Sequence, residues 1–209
     1  MEKLRLVRPK KEHEKQAIEY LEEFYADGSE THGVGGLERY KDDYDGWLKH
    51  LEEMRDLEPN DKLVPGETFF LMKRLPRESH ILQKDVERLV GMVNIRLALN
   101  DNLWKYGGHI GYSIRPSERR KGYNKVNLYL ALKVCQNHGI EVVLLDCDKN
   151  NIGSAKTMRA LGGRLLREHT HQITPEESVT VQQYVIDVDA ALSKYANQYD
   201  QFVSEYPAD

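Results

Sequence analysis

The sequence has few of the features that mark secreted or membrane proteins. Only two of its 209 residues are cysteines, Cys135 and Cys147, too few for a disulfide framework or a four-cysteine zinc site, and we interpret both as buried apolar residues in a reducing compartment. No apolar run approaches the roughly 20 residues that cross a bilayer. The N-terminal stretch MEKLRLVRPKKEHEKQ lacks the apolar core of a signal peptide. These absences predict a cytoplasmic protein without a membrane partner.

The charge balance argues against a broad surface for nucleic acids. The sequence contains 30 lysines and arginines and 34 aspartates and glutamates, which gives a net charge of -4. The length suits one domain with a sizeable core, and the sequence contains no internal repeats. We therefore expect residues 1–209 to form a single domain, in which 190–209 is a polar tail with a short, fraying helix.

Apolar periodicity predicts an α/β chain. A polar, hairpin-like interval is expected at 73–85, and the last two strands are expected to be joined by 169–178. His169 and His171 in that connection lack a carboxylate or cysteine set, so no metal site is predicted. Strands are predicted at 4–7, 68–72, 88–99, 109–115, 142–148, 164–168 and 179–188, and helices within 10–27, 40–54, 124–138 and 150–163.

The most informative stretch is a strand followed by the basic turn RRKGYN and a helix. Pro116 ends the strand, and Gly122 permits a tight turn before the helix. The first amides of a helix have no intrahelical partner and attract anions. Arg119, Arg120 and Lys121 add positive charge at the same place. The turn therefore indicates a multiply phosphorylated ligand.

This turn resembles the acyl-CoA-binding signature of the GNAT N-acetyltransferases. In that signature an arginine or glutamine is followed, after two residues, by glycine and then, one residue later, by glycine or alanine. Arg119 and Gly122 match, whereas Asn124 departs at the last position. The larger asparagine is expected to reshape the loop rather than abolish it, because asparagine tolerates unusual backbone angles.

A second segment, NNIGSAKTMRALGG, resembles the second signature of the same family. Asn151, Ser154 and Gly162 match, and the family's asparagine usually bonds the pantetheine arm. Met158 stands where many relatives carry a tyrosine that protonates the leaving thiolate. A thioether cannot donate that proton, so another group or water would serve, or coenzyme A would leave as a thiolate.

The resemblance implies an α/β fold of the GNAT acyl-CoA N-acyltransferase type: a mixed, mostly antiparallel sheet, flanked by helices and splayed at the cofactor site. It implies acetyl transfer from acetyl-CoA to a primary amine of a small molecule or peptide, by direct attack in a ternary complex, and leaves a homodimer open. The residues assigned to acetyl-CoA are Tyr112, Ile114, Arg119, Arg120, Lys121, Gly122, Tyr123, Asn124, Asn151 and Ser154.

Four further polar residues are candidates for catalysis or acceptor binding. His109 lies where the family often holds a general base, although an ungapped count puts Gly108 there and His109 would need a bulge to face the site. Asp148 either relays a proton through water or caps the next loop. Asn94 and Arg96 share one face of an apolar strand and either contact the acceptor or close an internal network.

The residues leave alternatives open. The acidic, aromatic segment 40–54 suits a cationic acceptor or is simply a solvated helix face. A catalytically degenerate acyl-CoA-binding or protein-interaction module is the rival to an enzyme, favoured by Asn124, Met158 and the unsettled base. A dinucleotide-binding domain is disfavoured because the G-x-G-x-x-G turn is missing.

Overall fold

The computed structural model describes residues 2–74, 87–172, 174 and 178–204. The predicted interval 73–85 therefore lies mostly outside the described residues, as does part of the 169–178 connection. Within the described part, no helix is both long enough and apolar enough to cross a bilayer. The strands are β1 Leu4–Val7, β2 Gly66–Arg74, β3 Glu87–Arg96, β4 Ile110–Ile114, β5 Val142–Asp148, β6 Arg164–Gln172 and β7 Ser178–Asp187.

The strands form two sheets, which meet at a single point. The first has the order β1-β2-β3-β4 and the second the order β5-β7-β6, and every ladder is antiparallel. Between β4 and β5 there is one isolated bridge, from Gly108 to Leu145. The predicted splay between these two strands is therefore confirmed. The helices are α1 Glu14–Asp27, α2 Tyr44–Arg55, α3 Asp101–Lys105, α4 Tyr123–Asn137, α5 Ile152–Ala160 and α6 Val188–Tyr199.

The first sheet is covered on both faces, which explains why β2 is apolar on both sides. Successive side chains of a strand point to opposite faces. Phe69 and Leu71 pack in the cluster that includes α4, whereas Phe70 and Met72 pack with α1 and α2. Helix α4 thus lies between the sheet and α6, and its predicted core residues are buried. These are Leu128, Ala131, Leu132 and Cys135.

The C-terminal segment is more ordered than the predicted fraying tail. Helix α6 begins directly after β7, where the Asp187 side chain accepts the Ala190 N–H. Apolar residues at helical spacing turn inward, and beyond the helix Val203 forms a parallel bridge with Leu4. The polar composition of the segment did not indicate this apolar face of α6, because few of its positions are buried. They are Val188, Ala191, Leu192 and Tyr199.

The loop between α1 and α2 is pinned to β4. The Ser113 hydroxyl donates to the His32 carbonyl at 2.5 Å and also bonds the Tyr20 hydroxyl at 3.0 Å. Gly33 has a left-handed φ of +70°, and a Cβ built on it would overlap the carbonyl oxygen of Gly111. The loop backbone therefore touches the strand directly, which only glycine allows at this position.

This contact predicts that Gly33→Ala is more destabilising than Gly28→Ala. Gly28 has a similar φ of +67° but open space around it, so alanine there should cost about 1 kcal/mol of backbone strain. At Gly33 the overlap with β4 should add about 1–3 kcal/mol. Urea unfolding of both variants measures the difference, and equal losses in the free energy of unfolding would contradict the close contact.

Candidate active site

The outer edge of β4 carries backbone N–H and carbonyl groups that face away from β3. The Arg96 N–H donates to the His109 carbonyl at 2.7 Å, and the Arg115 N–H to the Val90 carbonyl at 2.9 Å, so within β4 Gly111 and Ser113 direct their backbone groups toward β3. By the alternation of an antiparallel ladder, Tyr112 and Ile114 direct theirs to the opposite side, where the Ile114 carbonyl accepts the Arg119 Nε–H at 3.3 Å. On that side β4 has no ladder with any strand among the described residues. An extended ligand can therefore bond there as a strand would.

The basic turn leads the chain into α4 through two left-handed residues, Arg120 at φ +66° and Gly122 at φ +83°. Gly122 is the N-cap, so the following amides lie at the open, positive end of a 15-residue helix. Arg120 is exposed and Lys125 partly buried, and neither forms a salt bridge with a described residue. The turn thus combines free amides with two unpaired cations.

The other predicted cations are already engaged by protein groups. Arg119 pairs with Asp27 at 2.9 Å and donates to the Ser29 hydroxyl at 2.7 Å, which ties the turn to the end of α1. Lys121 pairs with Glu118 at 2.8 Å. The sequence predicted a cluster of cations at this turn, but it could not distinguish those that pair with protein groups from those that do not.

Glu118 is the buried carboxylate that fixes the turn. It pairs with Lys73 at 3.2 Å and Arg88 at 3.4 Å, in addition to Lys121. Burial alone would raise the pKa of Glu118, but hydrogen bonds from Lys121 and Lys73 outweigh it and lower the pKa. The Tyr123 ring lies buried beneath the Lys73 ammonium. Tyr123 therefore offers a ligand its backbone N–H rather than its side chain.

The second signature lies across the gap from β4. The Asn151 side chain accepts the Ser154 N–H at 3.0 Å and caps α5. The Ser154 hydroxyl bonds the Tyr112 hydroxyl at 2.8 Å, so these two predicted residues meet beside the gap. Burial raises the pKa of Tyr112 far above its usual range, which keeps the hydroxyl protonated at neutral pH. Met158 is fully buried in the core.

Asn124, the residue that departs from the first signature, carries an unusual feature. Its side-chain oxygen Oδ1 is buried and has no hydrogen-bond partner among the described residues. Buried acceptors are nearly always satisfied by protein, water or ligand. The carboxamide at the start of α4 is therefore available for a donor that these residues do not supply.

An open cleft of about 480 Å³ lies where β4 and β5 part. Asp146 uses both carboxylate oxygens in this wall: Oδ2 accepts the Gly107 N–H at 2.9 Å, and Oδ1 accepts from Gln183 at 3.0 Å. In Asp148, Oδ1 accepts the Asn150 N–H at 2.6 Å, which matches the capping alternative. The cleft is lined by His32, Tyr106, Gly107, Asp146, Cys147, Asp148 and Val181.

His109 joins the two sheets. The ring nitrogen Nδ1 of His109 accepts the Leu144 N–H at 3.0 Å. The backbone N–H of His109 donates to the Leu144 carbonyl at 2.7 Å. Burial, followed by the charge of Arg96, lowers the pKa of His109 to about 4. At neutral pH the ring is neutral, with its proton on Nε2 and its only lone pair bonded to Leu144. This arrangement gives His109 no lone pair for a substrate proton.

Asn94 and Arg96 both close internal networks. Asn94 donates to the Thr68 hydroxyl at 3.0 Å. Arg96 donates to the carbonyls of Gly107 and Gly108 at 3.2 and 2.9 Å, and so holds the two left-handed glycines that precede β4. Of the two alternatives that the sequence left open, these contacts belong to the internal network.

Several cleft residues carried no signal in the sequence. His32, Tyr106 and Val181 come from a loop, from the end of a five-residue helix and from β7, so only the tertiary fold brings them together. His32 adjoins the glycine run GVGG, which marks a loop but not a site. Among the described residues, no group of three or more His, Cys, Asp or Glu side chains is placed to hold a metal ion.

A parted sheet with a helix start and a free strand edge beside the gap is the architecture of acyl-CoA N-acyltransferases. Residues 4–164 match the family model described as the acetyltransferase (GNAT) domain. The chain therefore belongs to the GNAT acetyltransferase family and is an acetyl-CoA-dependent N-acetyltransferase. A search of curated protein sequences found no match.

Solved structures share this fold at low sequence identity. The microcin C7 self-immunity acetyltransferase MccE, in complex with acetyl-CoA and AMP, has a TM-score of 0.60 at 11% identity, over 88% of this chain and 92% of that chain. Mutant forms of the spermidine/spermine N-acetyltransferase SpeG from Vibrio cholerae give 0.58 at 12%, over 92% and 98%. A GNAT acetyltransferase from Bacillus anthracis gives 0.57 at 15%, over 90% and 96%.

The bonds of His109 predict a specific pH dependence of stability. Its folded-state pKa of about 4 lies below the unfolded value of about 6.5, so its contribution is complete above pH 6.5 and is lost as the pH falls toward 4. In His109→Gln the amide oxygen can still accept the Leu144 N–H but does not titrate. We expect the Tm of this variant to fall less between pH 7 and 4.5 than that of the wild type.

Circular dichroism melts across this pH range measure the effect. His32→Gln, at a histidine that is 59% exposed and whose ring bonds no described residue, controls for the loss of an imidazole in general. Parallel Tm curves for the wild type and His109→Gln would contradict the proposed coupling.

Proposed function

We propose that the protein acetylates a primary amine of a cationic small molecule or peptide by direct attack on acetyl-CoA. The observation that carries this proposal is the cleft at the parting of β4 and β5, which has Asp146 and Asp148 in its wall and the free edge of β4 beside it. Carboxylates in a cleft focus negative potential and attract ammonium groups. The acceptor then meets the donor where the two sheets separate.

The residues around the gap fit acetyl-CoA. The amides from Gly122 to Asn124, with Arg120 and Lys125, suit its pyrophosphate. The outward N–H and carbonyl of Tyr112 and the outward N–H of Ile114 suit the two amides of the pantetheine arm, which can bond them as a neighbouring strand would. When bound, acetyl-CoA supplies the acyl carbon and a thiolate leaving group.

Asn151 and Ser154 extend the same surface on the α5 side. The Asn151 oxygen is occupied by the Ser154 N–H, so its amide nitrogen is the group that would donate to pantetheine. The engaged residues Arg119, Lys121 and Tyr123 contribute by holding the turn. Their fixed geometry lowers the entropy lost when the ligand binds.

The chemistry requires a neutral amine. Alkyl ammonium groups have a pKa near 10, so a base or a water relay must remove a proton at neutral pH. We propose that Asp148 attracts the ammonium through its second carboxylate oxygen and so holds the amine in the cleft. Buried Met158 cannot protonate the departing sulfur, but a thiol pKa of about 8.5 allows coenzyme A to leave as a thiolate.

A screen of amine-dependent CoA release tests the proposal. Polyamines, arylalkylamines and peptide N-termini should stimulate release, and Asp148→Asn should raise the KM for a cationic acceptor about tenfold, as expected for losing one charge-assisted hydrogen bond. Asp56→Asn, at a carboxylate that is 79% exposed and does not line the cleft, is the matched control. If CoA binds but no amine stimulates its release, the protein is a binding module instead.

A further inference from the structure

The histidine with free ring nitrogens at the cleft is His32. It lines the cleft with Cys147 and Asp148, and its side chain is 59% exposed. Its nearest charged partner is Glu30, with 3.9 Å between Nε2 and Oε2, beyond hydrogen-bond distance. Neither ring nitrogen forms a hydrogen bond with a described residue. His32 therefore has the lone pair that His109 lacks.

Although the His32 ring forms no hydrogen bond with a described residue, the His32 backbone is held in place. The His32 carbonyl accepts from Ser113 at 2.5 Å, and Ser113 in turn bonds Tyr20, which is fully buried. The next residue, Gly33, lies against the β4 backbone at Gly111. A surface loop thus presents one side chain from a rigid support, as a site that acts on a bound substrate requires.

We propose that His32 is the general base that removes the proton from the acceptor amine. The inference rests on the proposed function, since it assigns a role within amine acetylation. It differs from the sequence-based expectation, which gave this role to His109 on the strand behind the cleft. The acidic groups that share the loop or the cleft with His32 are Glu30 from its own loop and Asp146 and Asp148 from β5.

Each proton that leaves the acceptor nitrogen in this step has a defined acceptor. One proton passes from the ammonium to a ring nitrogen of His32, and the nitrogen lone pair then forms the C–N bond to the acetyl carbon while the C–S bond breaks. Coenzyme A leaves as the thiolate and then takes up the second proton of the amine nitrogen, which gives the thiol. The His32 imidazolium finally returns its proton to water.

Imidazole rescue of His32→Ala tests this role, with an amine that the wild type acetylates. Because the loop is anchored through the His32 backbone carbonyl, alanine should leave the fold and the affinity for CoA unchanged, as checked by Tm and calorimetry. We expect kcat/KM to fall about 100-fold. Added imidazole should restore the rate in proportion to its free-base concentration. His138→Ala should change the rate less than twofold and show no rescue.

The pH profile provides the second readout. With a His32 base, two acceptors of different amine pKa should share one inflection in kcat/KM, whereas in His32→Gln the inflection should follow each amine. Activity of His32→Ala within threefold of the wild type would overturn the role, as would a loss confined to KM without rescue. Either result leaves amine acetylation standing. If the wild type acetylates no amine, the proposed function and this inference fail together.

Discussion

The structure depends on one constraint, that β4 and β5 meet at a single point and then part. Gly107 and Gly108 adopt left-handed angles, and Arg96 holds both of their carbonyls. A Cβ on Gly108 would overlap the Leu144 carbonyl, so the close approach requires glycine. His109 completes the junction through its two bonds to Leu144. Because the strands cannot pair further, β4 keeps an unpaired edge and the cleft stays open.

The start of α4 lies beside this gap and is also held in a fixed geometry. Glu118 forms salt bridges with cations from β2, β3 and the turn. Arg119 connects the turn to α1 through its salt bridge with Asp27. A buried carboxylate with several partners is costly to disturb, so the turn is held in one geometry before any ligand arrives. The remaining cations, Arg120 and Lys125, can then act on the ligand. We propose that this single basic run therefore has both a structural and a binding function.

Much of this fold could be predicted from local patterns. Strand β5 has the predicted bounds, and α4 begins one residue from its expected start, because both carry dense apolar periodicity between clear turn signals. Helix α3 was not predicted, since five residues carry no period. Helix α6 was underestimated because its apolar face is visible only once α4 provides a surface for it. The GNAT signatures identified the turn through local sequence, which is why the family could be recognised before the fold.

The direction of each side chain could not be predicted in the same way. Arg119 and Lys121 have the same charge as Arg120, and only their distant partners Asp27 and Glu118 separate their roles. His109 was favoured because it lies on the central strand, yet its ring faces a neighbouring backbone. His32 is 77 residues away along the chain and reaches the cleft only because glycine lets its loop touch β4. Such roles depend on long-range contacts, which a single sequence does not display.

We propose that acetyl-CoA binds at the first amides of α4 and along the outer edge of β4. Residue-resolved hydrogen–deuterium exchange with and without CoA tests it most directly, because those amides have no acceptor among the described residues and should exchange quickly in the free protein. We predict that CoA slows exchange at Gly122, Tyr123, Asn124 and Tyr112, and leaves α6 unchanged. Unaltered exchange at these four amides with saturating CoA would contradict the claim.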